Sequence, residues 1–361
     1  MNKMIINHTI IYRLVCIFLI LLGLFIILRQ EYRPTENTIN GFYFDTYISI
    51  KINDDITTSE KSSLINLVCT YDTILSPYLE DSLAYKLGNN RSFYVTNEDE
   101  YSLNDFIETT LEIAHETKGV IDPTIMSVYE LYDFDPSNDT SPDQSDIEAA
   151  LKGVDYSSLQ YENNILTLTN SSSKIGFGFI AKGYIADKIK EQLIRDGIDD
   201  ALINLGGNVL ALGDNNGKGY NVAVQNPFRS LPKNIFDNYN YPDDLESYIA
   251  SLNRKELDLN AEYALTINIS DKSVVTSGIY ERYYLDNGTI MHHLLDSKSG
   301  KPVNNELVSV TIIGPSSTYC DSYSTACFLM GLKNGIEYIN EKCDYQAIFI
   351  TKKGDIIYSD I

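Results

Sequence analysis

Asp321 and Thr325 lie four residues apart, a spacing that on a helix turns both oxygens the same way. A carboxylate, a hydroxyl and phosphate oxygens together make a Mg²⁺ shell. The plainer reading of the pair is a helix cap followed by a surface threonine. Upstream, Gly176-Phe177-Gly178-Phe179-Ile180-Ala181-Lys182-Gly183-Tyr184 leads into a helical pattern that contains Asp187. Glycines ahead of a helix leave main-chain N–H groups for phosphate oxygens, and Lys182 adds a point charge. Neither GxxxxGK[ST] nor GxGxxG is present, so a packing turn is the competing explanation. The chain has four histidines, and His292 and His293 adjoin in a turn-rich segment. An imidazole near a metal-bound phosphate would carry a proton. Gly119-Val120-Ile121-Asp122-Pro123-Thr124 follows a predicted helix and, taken alone, is a turn with an aspartate in it.

The elements that must position these groups are legible from periodicity. Apolar residues at helical spacing predict helices over Glu60–Leu75, Ser102–Thr117, Ala181–Asp196 and Ser322–Gly331, with a short one starting in Asp143–Leu151. Strands are predicted at Phe42–Ile52, Asn164–Thr169, Ala201–Leu205, Tyr220–Val224, Ala264–Ile269 and Leu307–Ile313. A last hairpin joins Gln346–Thr351 to Ile356–Ser359. Asp135–Asp146 reads as a surface loop, and residues 228–262 as an inserted loop with some helix. Strands and helices alternate without a regular βα repeat, which implies an α+β fold.

With 361 residues, 43% of them apolar, the chain can bury a sizeable core. Its formal charge of −22 repels nucleic acid, whose binding rests on neutralising phosphates. An anionic cofactor would need main-chain dipoles or a cation at its site. Cys16, Cys69, Cys320, Cys327 and Cys343 show no zinc spacing, and no structural disulfide is expected. Residues 10–28 are apolar except for Arg13. Nineteen helical residues span about 28 Å, close to a bilayer core. Arg29-Gln30-Glu31-Tyr32-Arg33 offers no small-x-small cleavage site. The expectation is a cytoplasmic segment at 1–9, an uncleaved transmembrane anchor at 10–28, a linker at 29–40 and a catalytic domain at 41–361.

In this order, the clusters resemble one family, the FAD:protein FMN transferases (the ApbE family). The resemblance runs from about Gly41 to the C-terminal hairpin. It is carried by Leu75-Ser76-Pro77-Tyr78-Leu79-Glu80-Asp81-Ser82, Ile121-Asp122-Pro123-Thr124, Ala181-Lys182-Gly183-Tyr184 with Asp187, and Asn204-Leu205-Gly206-Gly207-Asn208. Thr276-Ser277-Gly278-Ile279-Tyr280-Glu281-Arg282, His293-Leu294-Leu295-Asp296 and Asp321 with Thr325-Ala326 complete it. It implies an ApbE-like fold of the T-fold type, with mixed or antiparallel sheets packed by helices. It implies that Tyr78, Val120, Ile121, Asp122, Lys182, Tyr184 and Leu295 line an FAD site. The carbonyl of Ala181 and the side chains of Asp321 and Thr325 would hold Mg²⁺ against the pyrophosphate, and His293 would be the catalytic acid/base. The partner it implies is an acceptor flavoprotein of a membrane or extracytoplasmic electron-transfer chain, which receives FMN on a Thr or Ser. The implied location is the cell membrane, single-pass, with the catalytic domain extracytoplasmic.

The chain departs from the family pattern in places. Met-Gly-Thr becomes Phe44-Asp45-Thr46, so that Phe44, at a cofactor-binding position by the resemblance, would change one adenine- or flavin-side contact. Asp-Leu-Gly-Gly before Ala-Lys-Gly becomes Gly176-Phe177-Gly178-Phe179, without the acid. The rival readings are a Mg²⁺-dependent FAD pyrophosphatase and a membrane-tethered flavin-binding protein without chemistry.

Overall fold

A computed structural model describes residues 37–95 and 103–359. The predicted anchor at 10–28 and most of the linker lie outside the described residues. Among the described residues no helix is long and apolar enough to cross a membrane.

The first strand expected from sequence is a hairpin. β1 (Thr38–Tyr43) and β2 (Thr46–Ile52) pair antiparallel around Phe44 and Asp45, both left-handed at φ 54° and 56°. Two adjacent positive φ values are what a tight hairpin turn requires, and here neither residue is glycine. α1 (Thr58–Leu75) begins at a capping box in which Thr57 and Glu60 satisfy each other's main chain. It buries Leu64, Leu67, Val68, Tyr71 and Leu75. α2 (Leu83–Asn90), β3 (Ser92–Tyr94), α3 (Asn104–Glu116), the single turn α4 (Met126–Tyr129) and α5 (Gln144–Ala150) follow. β4 (Leu159–Glu162) and β5 (Ile165–Leu168) form a small sheet with β3, in the order β3-β5-β4.

α6 (Ala181–Arg195) leads to β6 (Ala201–Leu205), β7 (Asn208–Leu212) and β8 (Tyr220–Gln225). The insertion is more than a loop. After α7 (Asp243–Ser251) it supplies β9 (Arg254–Glu256), which pairs with the last strand. Three exposed charged residues on an edge strand discourage further pairing there. β10 (Tyr263–Ile269), β11 (Ser273–Gly278), β12 (Tyr283–Asp286), β13 (Thr289–His292) and β14 (Leu307–Gly314) precede α8 (Ser317–Met330). α9 (Leu332–Asn340), β15 (Gln346–Thr351) and β16 (Asp355–Tyr358) end the described chain.

The main sheet has nine strands in the order β1-β2-β6-β7-β11-β14-β15-β16-β9, and every pairing in it is antiparallel. The α+β expectation holds, and the sheets are antiparallel rather than mixed. One core joins β2, β6 and β7 to α1, α3 and α6. A second joins β11, β14 and β15 to α8 and α9. From Thr38 onward the described residues make one compact unit. Cys69, Cys320, Cys327 and Cys343 are free thiols.

Candidate active site

The site lies where the main sheet parts. β11 pairs with β7 only through Ser273↔Leu210 and Val274↔Val209, whereas its pairing with β14 continues to Gly278. Beyond Val274 the β6–β7 turn, Gly206-Gly207, no longer follows β11. A cavity of about 800 Å³ opens there, lined by Gly206, Gly207, Thr276 and Ser277 among others. That volume suits a cofactor-sized ligand. Both glycines have left-handed φ, and a Cβ at Gly206 would collide with Thr46.

α6 and α8 bring the oxygen donors to this cavity. The helices approach so closely at Gly183 that a Cβ there would collide with the Ser317 carbonyl and stand 2.8 Å from Asp321 Cβ. The Gly183 N–H donates to Asp321 Oδ2 at 2.9 Å. One turn further along α6, Asp187 accepts the Ser317 and Thr318 N–H groups, each at 2.9 Å, and the hydroxyls of Ser316 and Thr318. Asp187 therefore caps α8 from a neighbouring helix and fixes the height of Asp321 on it. Asn208, fully buried, is held by the Ser317 hydroxyl at 2.6 Å. Its amide nitrogen makes no hydrogen bond of normal geometry and lies near enough to Asp321 to favour the ionised carboxylate.

Ala181, Lys182, Asp321 and Thr325 all line the cavity. Burial raises the Asp321 carboxyl above its usual range, and Lys182, the Gly183 N–H and Asn208 offset only part of that. Glu281 lines the same cavity and, although its surface is exposed to that open space, the surrounding walls desolvate its carboxyl and with the nearby Asp321 raise it to about 7, against the pull of Lys182 and Arg282. Among the described residues no group of three or more His, Cys, Asp and Glu side chains could hold a metal. The set implied by the resemblance needs no such group. It combines one carboxylate, one hydroxyl and one carbonyl, all hard oxygens, beside acids that lack full compensation. Those donors fit Mg²⁺.

The two histidines part company. His292 is buried, its Nε2 3.0 Å from the Val303 carbonyl while its Nδ1 accepts the Leu294 N–H at 3.3 Å. Burial pushes it down to about 4. His293 lines the cavity, with its N–H and Nδ1 at 3.2 and 3.3 Å from the Arg282 carbonyl. A proton on Nδ1 satisfies that carbonyl and leaves Nε2 as the basic nitrogen. Burial, with help from His292 and Arg282, pushes His293 down to about 3, so the ring is neutral near pH 7.

Of the other residues expected at the site, Phe44, Tyr78, Val120, Ile121, Asp122 and Leu295 line the cavity. Asp122 does so with its carboxylate already engaged. It accepts the N–H and hydroxyl of Thr124 and the N–H of Tyr156, and so caps the turn at Pro123–Ile125. Tyr184 does not join them on the cavity wall. It is buried against Phe106 and Tyr71, donates to Asp105 at 2.8 Å, and is not part of the cavity wall. Two positions past Lys182 on a helix, a side chain points about 200° away. Sequence reasoning assigned no role to Ser277, Glu281 and Arg282, although they sit in the quoted Thr276–Arg282 segment. It predicted the strand β8 but gave it no place at the site, although its Val222, Ala223, Val224 and Gln225 all line the cavity. Four consecutive strand residues line one space only along the strand's edge, and alternation cannot signal that.

The ApbE family profile matches residues 44–349. The chain belongs to the ApbE family. It is 36% identical over 220 residues to an FAD:protein FMN transferase of Klebsiella pneumoniae, covering 60% of this chain and 59% of that one. It is 29% identical over 256 residues to an FAD:protein FMN transferase of Treponema pallidum, covering 69% and 65% respectively. The chain thus spans about three fifths of the length of these curated relatives. In fold it is similar to the ApbE protein of Thermotoga maritima, with a TM-score of 0.72 at 24% identity, covering 90% of this chain and 96% of that one. The likeness confirms an ApbE-like α+β fold of antiparallel sheets packed by helices.

Proposed function

We propose that this chain transfers the FMN half of FAD to a Thr or Ser hydroxyl of an acceptor flavoprotein and releases AMP. The observation that carries the reading is the convergence of Ala181, Lys182, Asp321, Thr325 and His293 on one cofactor-sized cavity in an ApbE-family chain. Ala181, Asp321 and Thr325 would hold Mg²⁺, which when bound neutralises charge on a pyrophosphate. Lys182 adds positive charge on the same wall. His293 Nε2 takes the proton from the acceptor hydroxyl as the new P–O bond forms to the FMN phosphorus and the bond to AMP breaks. The polyanionic substrate raises the basicity of His293, because nearby negative charge favours imidazolium.

The apolar stretch at 10–28 supports a single-span membrane anchor, with the catalytic unit on the outer side beside electron-transfer acceptors. Protease treatment of intact cells and of cells opened to the cytoplasm reports which side carries the catalytic unit. For the chemistry, the protein is incubated with FAD, Mg²⁺ and a Thr-bearing acceptor flavoprotein. Fluorescent acceptor with equimolar AMP is the expected result. Free FMN and AMP would make the chain a pyrophosphatase, and unchanged FAD would make it a binding protein.

A further inference from the structure

Three hydroxyls meet beneath the cavity wall where β11 lies against α8. Ser277 Oγ is 2.7 Å from Ser324 Oγ and 3.0 Å from Thr325 Oγ1. Ser324 Oγ donates to the Asp321 carbonyl at 2.9 Å. Ser277 and Ser324 are buried, while Ser277 and Thr325 also touch the cavity. Hydroxyl protons follow from the heavy-atom geometry. Thr325 has two places to send its proton, the Asp321 carbonyl at 3.3 Å or Ser277. The first exceeds ordinary O–H···O distances and reaches an oxygen that Ser324 already uses, whereas 3.0 Å to Ser277 is within the normal range. One direction then satisfies every donor: Thr325 to Ser277, Ser277 to Ser324, Ser324 to the Asp321 carbonyl.

We propose that Ser277 is a positioning residue that draws the Thr325 hydroxyl proton away from the cavity and turns its lone pairs toward a divalent cation. The proposal rests on the metal reading given above and adds to it a residue outside the donor set. A hydroxyl ligates a cation through oxygen, so a proton aimed into the cavity would oppose binding. The relay prevents that, and it ends on the main-chain carbonyl of Asp321, one turn back on α8. Partners that orient metal ligands typically change metal affinity or activity by about 10- to 100-fold when removed. With one neutral ligand affected, the low end is expected.

The test is FAD binding by isothermal titration across a Mg²⁺ series, with no acceptor present. Ser277→Ala should need about tenfold more Mg²⁺ for half-maximal enhancement of FAD affinity, and should reach the wild-type affinity at saturating Mg²⁺. Ser277→Thr, which keeps the hydroxyl on a strand that accepts β-branched residues, should titrate within about twofold of wild type. A general loss of packing would lower the saturating affinity as well and would not be rescued by threonine, and that result overturns the proposal. So does a Ser277→Ala protein that titrates like wild type. Should the alanine variant fail to fold, Ser324→Ala, which cuts the relay one bond further back, must shift the Mg²⁺ midpoint in the same direction; no shift overturns the proposal. If wild-type FAD binding ignores Mg²⁺, the metal reading itself falls and takes the proposal with it.

Discussion

The Gly183 N–H points at Asp321 Oδ2 from 2.9 Å, across a contact where no side chain fits. One glycine therefore sets both the distance between α6 and α8 and the orientation of the carboxylate that faces the cavity. Gly183→Ala should separate the helices, because the new Cβ meets backbone rather than a flexible side-chain end. A cost of roughly 1–3 kcal/mol in stability is expected from overpacking, against the small helix-propensity gain of Ala over Gly. Urea unfolding measures it, and FAD binding in Mg²⁺ should fall more steeply than stability does.

His292 gives the fold a pH dependence. Its folded pKa, about 4, lies below the ordinary 6.5 because burial disfavours the charged ring. The unfolded chain thus binds a proton that the folded chain refuses between those values. The stabilisation is fully present above about 6.5 and is lost as pH falls toward 4, at up to about 1.4 kcal/mol per pH unit. Replacing His292 with Asn should flatten that part of the stability–pH curve in chemical denaturation. At neutral pH it should leave the transfer rate nearly unchanged, because the His292 ring faces Phe328 and not the cavity.

Tyr241 ties the insertion to the main sheet. Its hydroxyl is 2.6 Å from Thr351 Oγ1 and 2.8 Å from Asp355 Oδ2, and Arg254 pairs with the same aspartate. Tyr241→Phe leaves a buried carboxylate short of one donor and should cost about 1–3 kcal/mol in urea unfolding. Transfer activity should not change, since neither Tyr241 nor Asp355 lines the cavity.

Much of the frame was legible in the sequence. α1, α6 and β6 follow one-sided apolar spacing and sit within two residues of their expected bounds. β7 and β11 were invisible for a physical reason. All of Asn208–Leu212 is buried, as is nearly all of Ser273–Gly278, so neither strand alternates. α8 began five residues early for the same reason, since Ser317 and Thr318 are buried polar residues that read as loop. At the site, one cavity wall brings together Asp321 and Thr325, which their spacing singled out, and His293, which the resemblance implied. Tyr184 lies off the cavity wall because a motif lists neighbours, and a helix sends them to different faces. The hydroxyl relay through Ser277 needs two elements 47 and 48 positions apart, which no local pattern reveals.

On the proposed reaction, Asp321 and His293 serve one transfer in different ways. The most direct measurement is mass spectrometry of an acceptor flavoprotein after timed incubation with FAD, Mg²⁺ and each variant, alongside AMP release and FAD affinity. Wild type should add one FMN to the acceptor for each AMP. Asp321→Ala should add none and bind FAD weakly, having lost the charged oxygen donor. His293→Ala should bind FAD normally and label the acceptor about 10²- to 10⁴-fold more slowly, the range for loss of a proton carrier. An Asp321→Ala protein that labels at the wild-type rate, or a wild type that makes AMP while the acceptor stays unmodified, would contradict the account.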